Sequence, residues 1–383
     1  MLARRLFAPL ALAAVGLAGC AEAQAPSQAL PGFHTDTSRR TIELDELRSG
    51  GPPKDGIPAL DLPGSDAAPA FVSADEAAAW LAPREPVVLL RAGGEARIYP
   101  LQILTWHEIA NDELGGVPVA VTFCPLCYAA VVFDRRLALG DGDTTVVSLG
   151  VSGLLRRSDM VMFDRATETL WQQLTGEALV GAHVGRRLRT LPAQLVSFER
   201  ARAAAPAARV LSRRTGHARD YGRNPYVGYD DVGARPFLFT APVDGRLPPL
   251  ERLVAVERGG ESLAVAFRHL RDARVHADTL GGAPLVVFWE AGTATALGDA
   301  QIARGRDVGA VGVFAPEAGG RALRFRRDGD RIVDEQTGST WRVTGEAEAG
   351  PLAGQRLAPA AHHDTYAFAW LAFRPGTRLV LGE

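Results

Sequence analysis

The sequence predicts a mainly β fold with short helices, a β-rich α+β architecture made of two tandem copies of one unit. Three observations carry that expectation. The chain repeats itself: Asn111–Val121 is echoed by Ala277–Val287, with Asp112, Leu114, Gly115, Gly116, Pro118 and Val121 recurring 166 positions on. Short apolar runs rich in Val and Phe are punctuated by Gly, Asp and Pro, as strands are. Each unit is expected to hold one or two helices at most: Pro100–Leu114 in the first has an apolar spacing compatible with one amphipathic helix.

The elements follow in chain order. Arg4 and Arg5 precede an apolar run, Leu6–Val15, that is too short to span a bilayer, so residues 1–19 read as an export signal. Leu17-Ala18-Gly19-Cys20 resembles the bacterial lipobox, which makes Cys20 the acylated first residue of the mature chain. The expected location is the cell envelope, lipid-anchored to a membrane with the body facing the periplasm. Residues 20–32, rich in Ala, Gln, Ser and Pro, read as a flexible tether.

The first unit occupies 33–205, with repeated elements from about 84. Pro86–Leu90, Val117–Phe123, Ala129–Phe133 and Thr144–Leu149 read as strands. Asp164–Trp171 reads as strand, tight turn, strand, and recurs as Asp334–Trp341. Residues 206–249, with Gly222, Pro225, Gly228, Pro236 and Pro242, read as an irregular connector. The second, degenerate unit occupies 250–383.

Composition narrows the function. Of 383 residues 47 % are hydrophobic and 22 % charged, the balance of a chain that packs a core. The net charge of −2 and the lack of a basic block exclude an electrostatic grip on nucleic acid. The 42 basic residues are 41 arginines and Lys54 alone, which marks Lys54, with its neighbour Asp55, as a pocket candidate.

Three cysteines exist, and with Cys20 assigned to lipid only Cys124 and Cys127 remain. Two thiols cannot staple a body of this size, so the pair needs a local explanation. Cys124-Pro-Leu-Cys127 falls between two expected strands, which aims both sulfurs at one point from a single turn. Such a turn is half of a tetrahedral zinc site or a soft copper(I) site. The remaining ligands must be imidazole, thioether or carboxylate: His107 is the nearest in sequence, and Met162, with Met160 on one face of a strand, offers sulfur. Glu108, Ser152, Arg156 and Asp159 are further pocket candidates. Two other readings stay open, a thiol–disulfide oxidoreductase and a purely structural pair. A third class, a noncatalytic envelope module, would use the polar-aromatic patch Asp220–Tyr229. At the 166-residue offset Cys124, Cys127 and His107 fall on Glu290, Thr293 and Ala273, so the second unit lacks the set. Thiols confined to one copy favour function over scaffold.

Tyr99–Ile109, Thr122–Cys127, Gly150–Leu155, Ser158–Asp164, Gly51–Pro58, Asp220–Tyr229 and His363–Trp370 together resemble the bacterial family catalogued as domain of unknown function 3179. The resemblance runs from about Phe33 to the C-terminus. It implies an exported protein of this architecture and no established activity. The stretch Val196–Ala203 departs from the family pattern.

Overall fold

The computed structural model describes residues 30, 32–62, 70–140 and 142–382. The leader, Cys20 and nearly all of the tether lie outside the described residues. Strand accounts for 42 % and helix for 11 % of the chain, with five short α-helices, as the alternation of apolar runs and turn residues predicts.

The N-terminal half holds three five-stranded sheets. One orders Ala193–Ser197, Pro86–Ala92, Glu95–Pro100, Arg209–Leu211 and Phe71–Val72. The second orders Arg189–Leu191, Ala129–Asp134, Val117–Cys124, Ile109–Leu114 and Leu60–Asp61. The third orders Leu47–Ser49, Leu149–Arg156, Asp159–Asp164, Leu170–Gln172 and Ala178–Val180. The thiol-bearing strand is therefore central in its sheet, and its side chains are buried from Val119 onward.

Element order and pairing recur in the C-terminal half. Arg252–Arg258, Glu261–Ala266, Phe267–Ala273, Val275–Leu280 and Ala283–Glu290 stand 166 residues after Pro86–Ala92, Glu95–Pro100, Leu101–His107, Ile109–Leu114 and Val117–Cys124. Both helices end on a residue with positive φ, Glu108 at 58° and Arg274 at 64°. In both, its N–H reaches the carbonyl four residues back at 2.7 Å, and its carbonyl accepts from the next strand at 2.8 Å. Further on, the Trp171 and Trp341 indoles donate to Asp164 and Asp334 at 3.1 and 3.0 Å, within the same Asp–Thr turn.

Two sequence expectations are corrected here. The expected helix over Pro100–Leu114 stops at His107, and Ile109–Leu114 is a strand paired with Val117–Cys124. The reason is the two-residue turn Gly115-Gly116, with φ of 55° and 74°, which closes a hairpin and aligns Leu114 with Val117. The connector, expected over 206–249, begins later, because Arg209–Leu211 adds to a sheet in parallel with Glu95–Pro100. No helix or strand occurs among residues 212–251.

The two halves share one core. Its largest cluster joins Cys124, Cys127 and Tyr128 to Leu253, Tyr366 and Phe368. Strand His363–Tyr366 lies against Ala129–Asp134, and reciprocally Ala193–Ser197 lies against Ala310–Phe314. Each fully buried Val, Leu or Phe in such a cluster contributes about 1.5–3 kcal/mol, so neither half leaves the other without losing much of its stability.

Candidate metal centre

Cys124 ends its strand opposite Ala129, so the thiol pair sits on the turn of a hairpin, where the sequence places it. The turn closes through Tyr128, whose φ is 51° and whose N–H donates to the Pro125 carbonyl at 3.2 Å. The C-terminal half holds it there. The Cys127 carbonyl accepts from Tyr366 N–H at 3.0 Å and from the Thr365 hydroxyl at 2.9 Å. The Tyr128 hydroxyl accepts from Ala296 N–H at 2.9 Å, and the Arg252 guanidinium lies 4.2 Å from the Tyr128 ring centre.

A second hairpin faces the thiols. Leu149–Arg156 and Asp159–Asp164 pair through the two-residue turn Arg157-Ser158, both with positive φ, in the manner of primed hairpin turns. Neither residue is Gly or Asn, so the turn carries about 1–2 kcal/mol of backbone strain per residue. It places the Ser158 carbonyl 3.5 Å from Cys127 Sγ and Asp159 beside both sulfurs. Upstream the same hairpin bulges between Val151 and Leu154. Gly153, at φ 76°, is required there: a Cβ would stand 2.1 Å from the Pro52 carbonyl oxygen.

The result is a cluster of three buried donors. One ligand atom each from Cys124, Cys127 and Asp159 lies within 4.8 Å of the others. Asp159 Oδ2 accepts from Gln172 Nε2 at 2.6 Å and Leu174 N–H at 2.9 Å, while Oδ1 is buried without a hydrogen-bond partner. Both cysteines are free thiols.

All the acids at this point are held protonated more strongly than usual. Burial pushes Asp159 up to about 6, and burial with the Asp159 charge nearby pushes Glu108 up to about 8. Burial raises Cys124, and raises Cys127 well above the ordinary thiol range. No basic side chain stands among the main causes of these shifts. Two thiols and two carboxyls thus share a dry site, and thiols and carboxyls are donor types that hold zinc once deprotonated. Tetrahedral zinc, with bonds of about 2.0–2.3 Å, sets donors less than about 4 Å apart, and the three donors here lie within 4.8 Å of one another.

The other sequence candidates lie as follows. His107 turns away: its Nδ1 is 2.7 Å from the Pro58 carbonyl and its Nε2 2.6 Å from the Tyr221 hydroxyl, so both ring nitrogens are engaged elsewhere. Burial lowers it to about 4 and keeps it neutral. Asp159 stands where the sequence places His107 as third donor. Met162 is fully buried between Val151 and Trp171 in its sheet, and Met160 is the thioether that borders the cavity beside the sulfurs. Arg156 reaches Asp159 only through Gln172, whose Oε1 it contacts at 3.4 Å, and pairs with Glu46 at 2.8 Å. The Ser152 hydroxyl stays within the bulge, donating to the Val161 carbonyl and accepting from Leu154 N–H at 2.9 Å.

Lys54 and Asp55 are each engaged in an ion pair of their own. The Lys54 ammonium pairs with Glu168 and lies 4.9 Å from the Phe33 and Phe163 ring centres, and Asp55 takes both arms of Arg165 at 3.1 Å. His362 and His363 are buried away from the donors, His363 against Trp370 at 5.0 Å.

A cavity of about 430 Å³ opens beside the thiols, bordered by Glu108, Cys124, Met160, Tyr226 and Tyr229 among others. Sequence reasoning named Tyr226 and Tyr229 only as part of a separate patch. It overlooked Phe237 of the same wall, which stands in a connector with no periodic signal.

No curated protein and no solved structure matches the chain. The family model described as "Protein of unknown function (DUF3179)" matches residues 54–377, most of the sequence, and the chain belongs to that family.

Proposed function

We propose that the protein is an exported lipoprotein, anchored through Cys20, whose N-terminal half binds a single transition-metal ion through Cys124, Cys127 and Asp159, with Glu108 at its side. One observation carries the reading: three buried donors within 4.8 Å, one of them a carboxylate oxygen with no hydrogen-bond partner. Of copper and zinc, zinc suits the set better. A carboxylate beside two thiolates is ordinary zinc chemistry, whereas copper(I) prefers sulfur and imidazole throughout. Three protein donors leave a coordination position toward the cavity, the arrangement of a site that acts on a ligand rather than one that only staples a fold.

The thiol–disulfide alternative has less support. A redox cysteine works as a thiolate at a helix N-terminus or beside a cation, and here both thiols are raised by burial and the following residues are a strand. The envelope-module reading loses its separate surface, because Tyr226 and Tyr229 line the cavity beside Cys124.

The test is elemental analysis of untagged protein. About one equivalent of zinc or copper is expected, and Cys124→Ser with Cys127→Ser should lose it while retaining the β-rich circular dichroism. Equal metal content in the two proteins, or none in either, overturns the reading.

A further inference from the structure

The cavity beside Cys124, about 430 Å³, lies in the size range of small-molecule sites. Its walls are mostly apolar: Pro52 and Ile57 from the loop between strands Leu47–Ser49 and Leu60–Asp61, Leu154 and Met160 from the bulged hairpin, Leu126 from the thiol turn, and Phe237 from the connector. No Arg, Lys or His borders it. An anion entering this space would meet no basic side chain, and an ion of charge +2 held by two thiolates and a carboxylate is already over-neutralised, so its desolvation would go uncompensated.

Four groups give it polarity, namely the Cys124 thiol, the Glu108 carboxyl and the hydroxyls of Tyr226 and Tyr229. The Tyr229 hydroxyl accepts from Phe237 N–H at 3.1 Å and so fixes the connector as one wall. Among the described residues no hydrogen bond engages the Tyr226 hydroxyl, which leaves a donor available inside an otherwise oily space. A half-buried phenol of this kind gains most from an acceptor oxygen on a ligand that excludes water.

We propose that this cavity binds a neutral, largely apolar small molecule carrying one hydroxyl or carbonyl oxygen, held under the connector with that oxygen toward Tyr226 and the metal centre. The choice of a neutral ligand rests on the metal reading, since the anionic donors are then spent on the ion and none remains for a cation. The affinity comes from apolar area buried against Leu126, Leu154 and Met160.

The experiment titrates the full chain, with the metal it carries on purification and again after chelation, with three probes of one size. These are p-cresol, benzoate and benzylammonium, followed by calorimetry. p-Cresol is expected to bind at least tenfold more tightly than either ion. Ala234→Trp, which fills the cavity from the half-buried connector side, should weaken it at least tenfold with the metal content unchanged. Phe237→Ala, at an exposed position, removes wall instead and should weaken it about fivefold. Preference for a charged probe, no binding by any probe, or indifference to both variants overturns the proposal. Metal assay of the same samples separates the two ideas: p-cresol binding that Ala234→Trp abolishes, in protein that carries no metal as purified, sinks the metal reading alone.

Discussion

The first helix-to-strand junction, at Glu108, and its counterpart 166 residues on, at Arg274, have the same backbone and opposite acid–base character, a buried carboxyl at one and a guanidinium at the other. Around Glu108 stand Asp159, Cys124 and Cys127, all acidic, all buried, with raised acidities and no basic partner among the main influences. At the counterpart, Arg274 pairs with Asp330 at 3.1 Å, and Glu290, which occupies the position of Cys124, pairs with Arg200. One junction is closed by protein ion pairs and the other is left with acids facing acids. A fold that tolerates an ion pair at this place has no structural need for an uncompensated acid cluster, which is the physical case for a cation from outside the chain.

The largest effect should come from making the first junction resemble the second. Glu108→Arg, which copies Arg274, brings a guanidinium to Asp159 and should lower metal content at least tenfold by elemental analysis. Retention of metal would show that the charge difference between the junctions is incidental.

The next is a pH dependence. In metal-stripped protein Glu108 titrates near 8 when folded and near 4.5 when unfolded. Between those values the folded state keeps a proton the unfolded state has released, so stability falls as pH rises. His107 acts in the other direction and lower: folded near 4 against an ordinary 6.5, it costs stability as pH falls below 6.5. From pH 6.5 to 8, denaturant titrations should therefore show a decline, on the order of 1–2 kcal/mol, that Glu108→Gln removes. A flat profile in the parent protein would contradict the picture of a buried neutral acid.

The smallest is a support effect. Thr365→Val removes the hydroxyl that holds the Cys127 carbonyl from the C-terminal half. About 1 kcal/mol of stability should be lost in denaturant titration, with a severalfold weaker metal affinity. An unchanged metal affinity would mean that the thiol turn keeps its shape without the other half.

The thiol turn was legible because its parts lie within four consecutive residues flanked by strand-forming runs. Short apolar runs punctuated by turn residues were the basis of the β-rich class in the same way, whereas Gly115-Gly116, read only as part of the repeat, held the unused signal that Ile109–Leu114 is a hairpin strand. His107 was misplaced because proximity in sequence says nothing of direction. The helix ends on it, its ring turns to Pro58 and Tyr221, and the positive φ of Glu108 sends the next side chain to the cavity instead. The period of two put Met160 and Met162 on one face correctly, yet only Met160, nearer the hairpin turn, borders the cavity.

By itself the sequence determined what local chemistry dictates: short strands, tight turns, a thiol pair on one of them, and a counterpart stretch without thiols. Tertiary structure alone decided the third donor, since Asp159 meets the sulfurs only when a strained hairpin of one sheet is laid against the turn of another. It also decided the acidities, because the burial that raises Glu108 and Asp159, and the like charge of Asp159 that raises Glu108 further, arise from segments far apart in the chain and leave no trace in any single stretch of it.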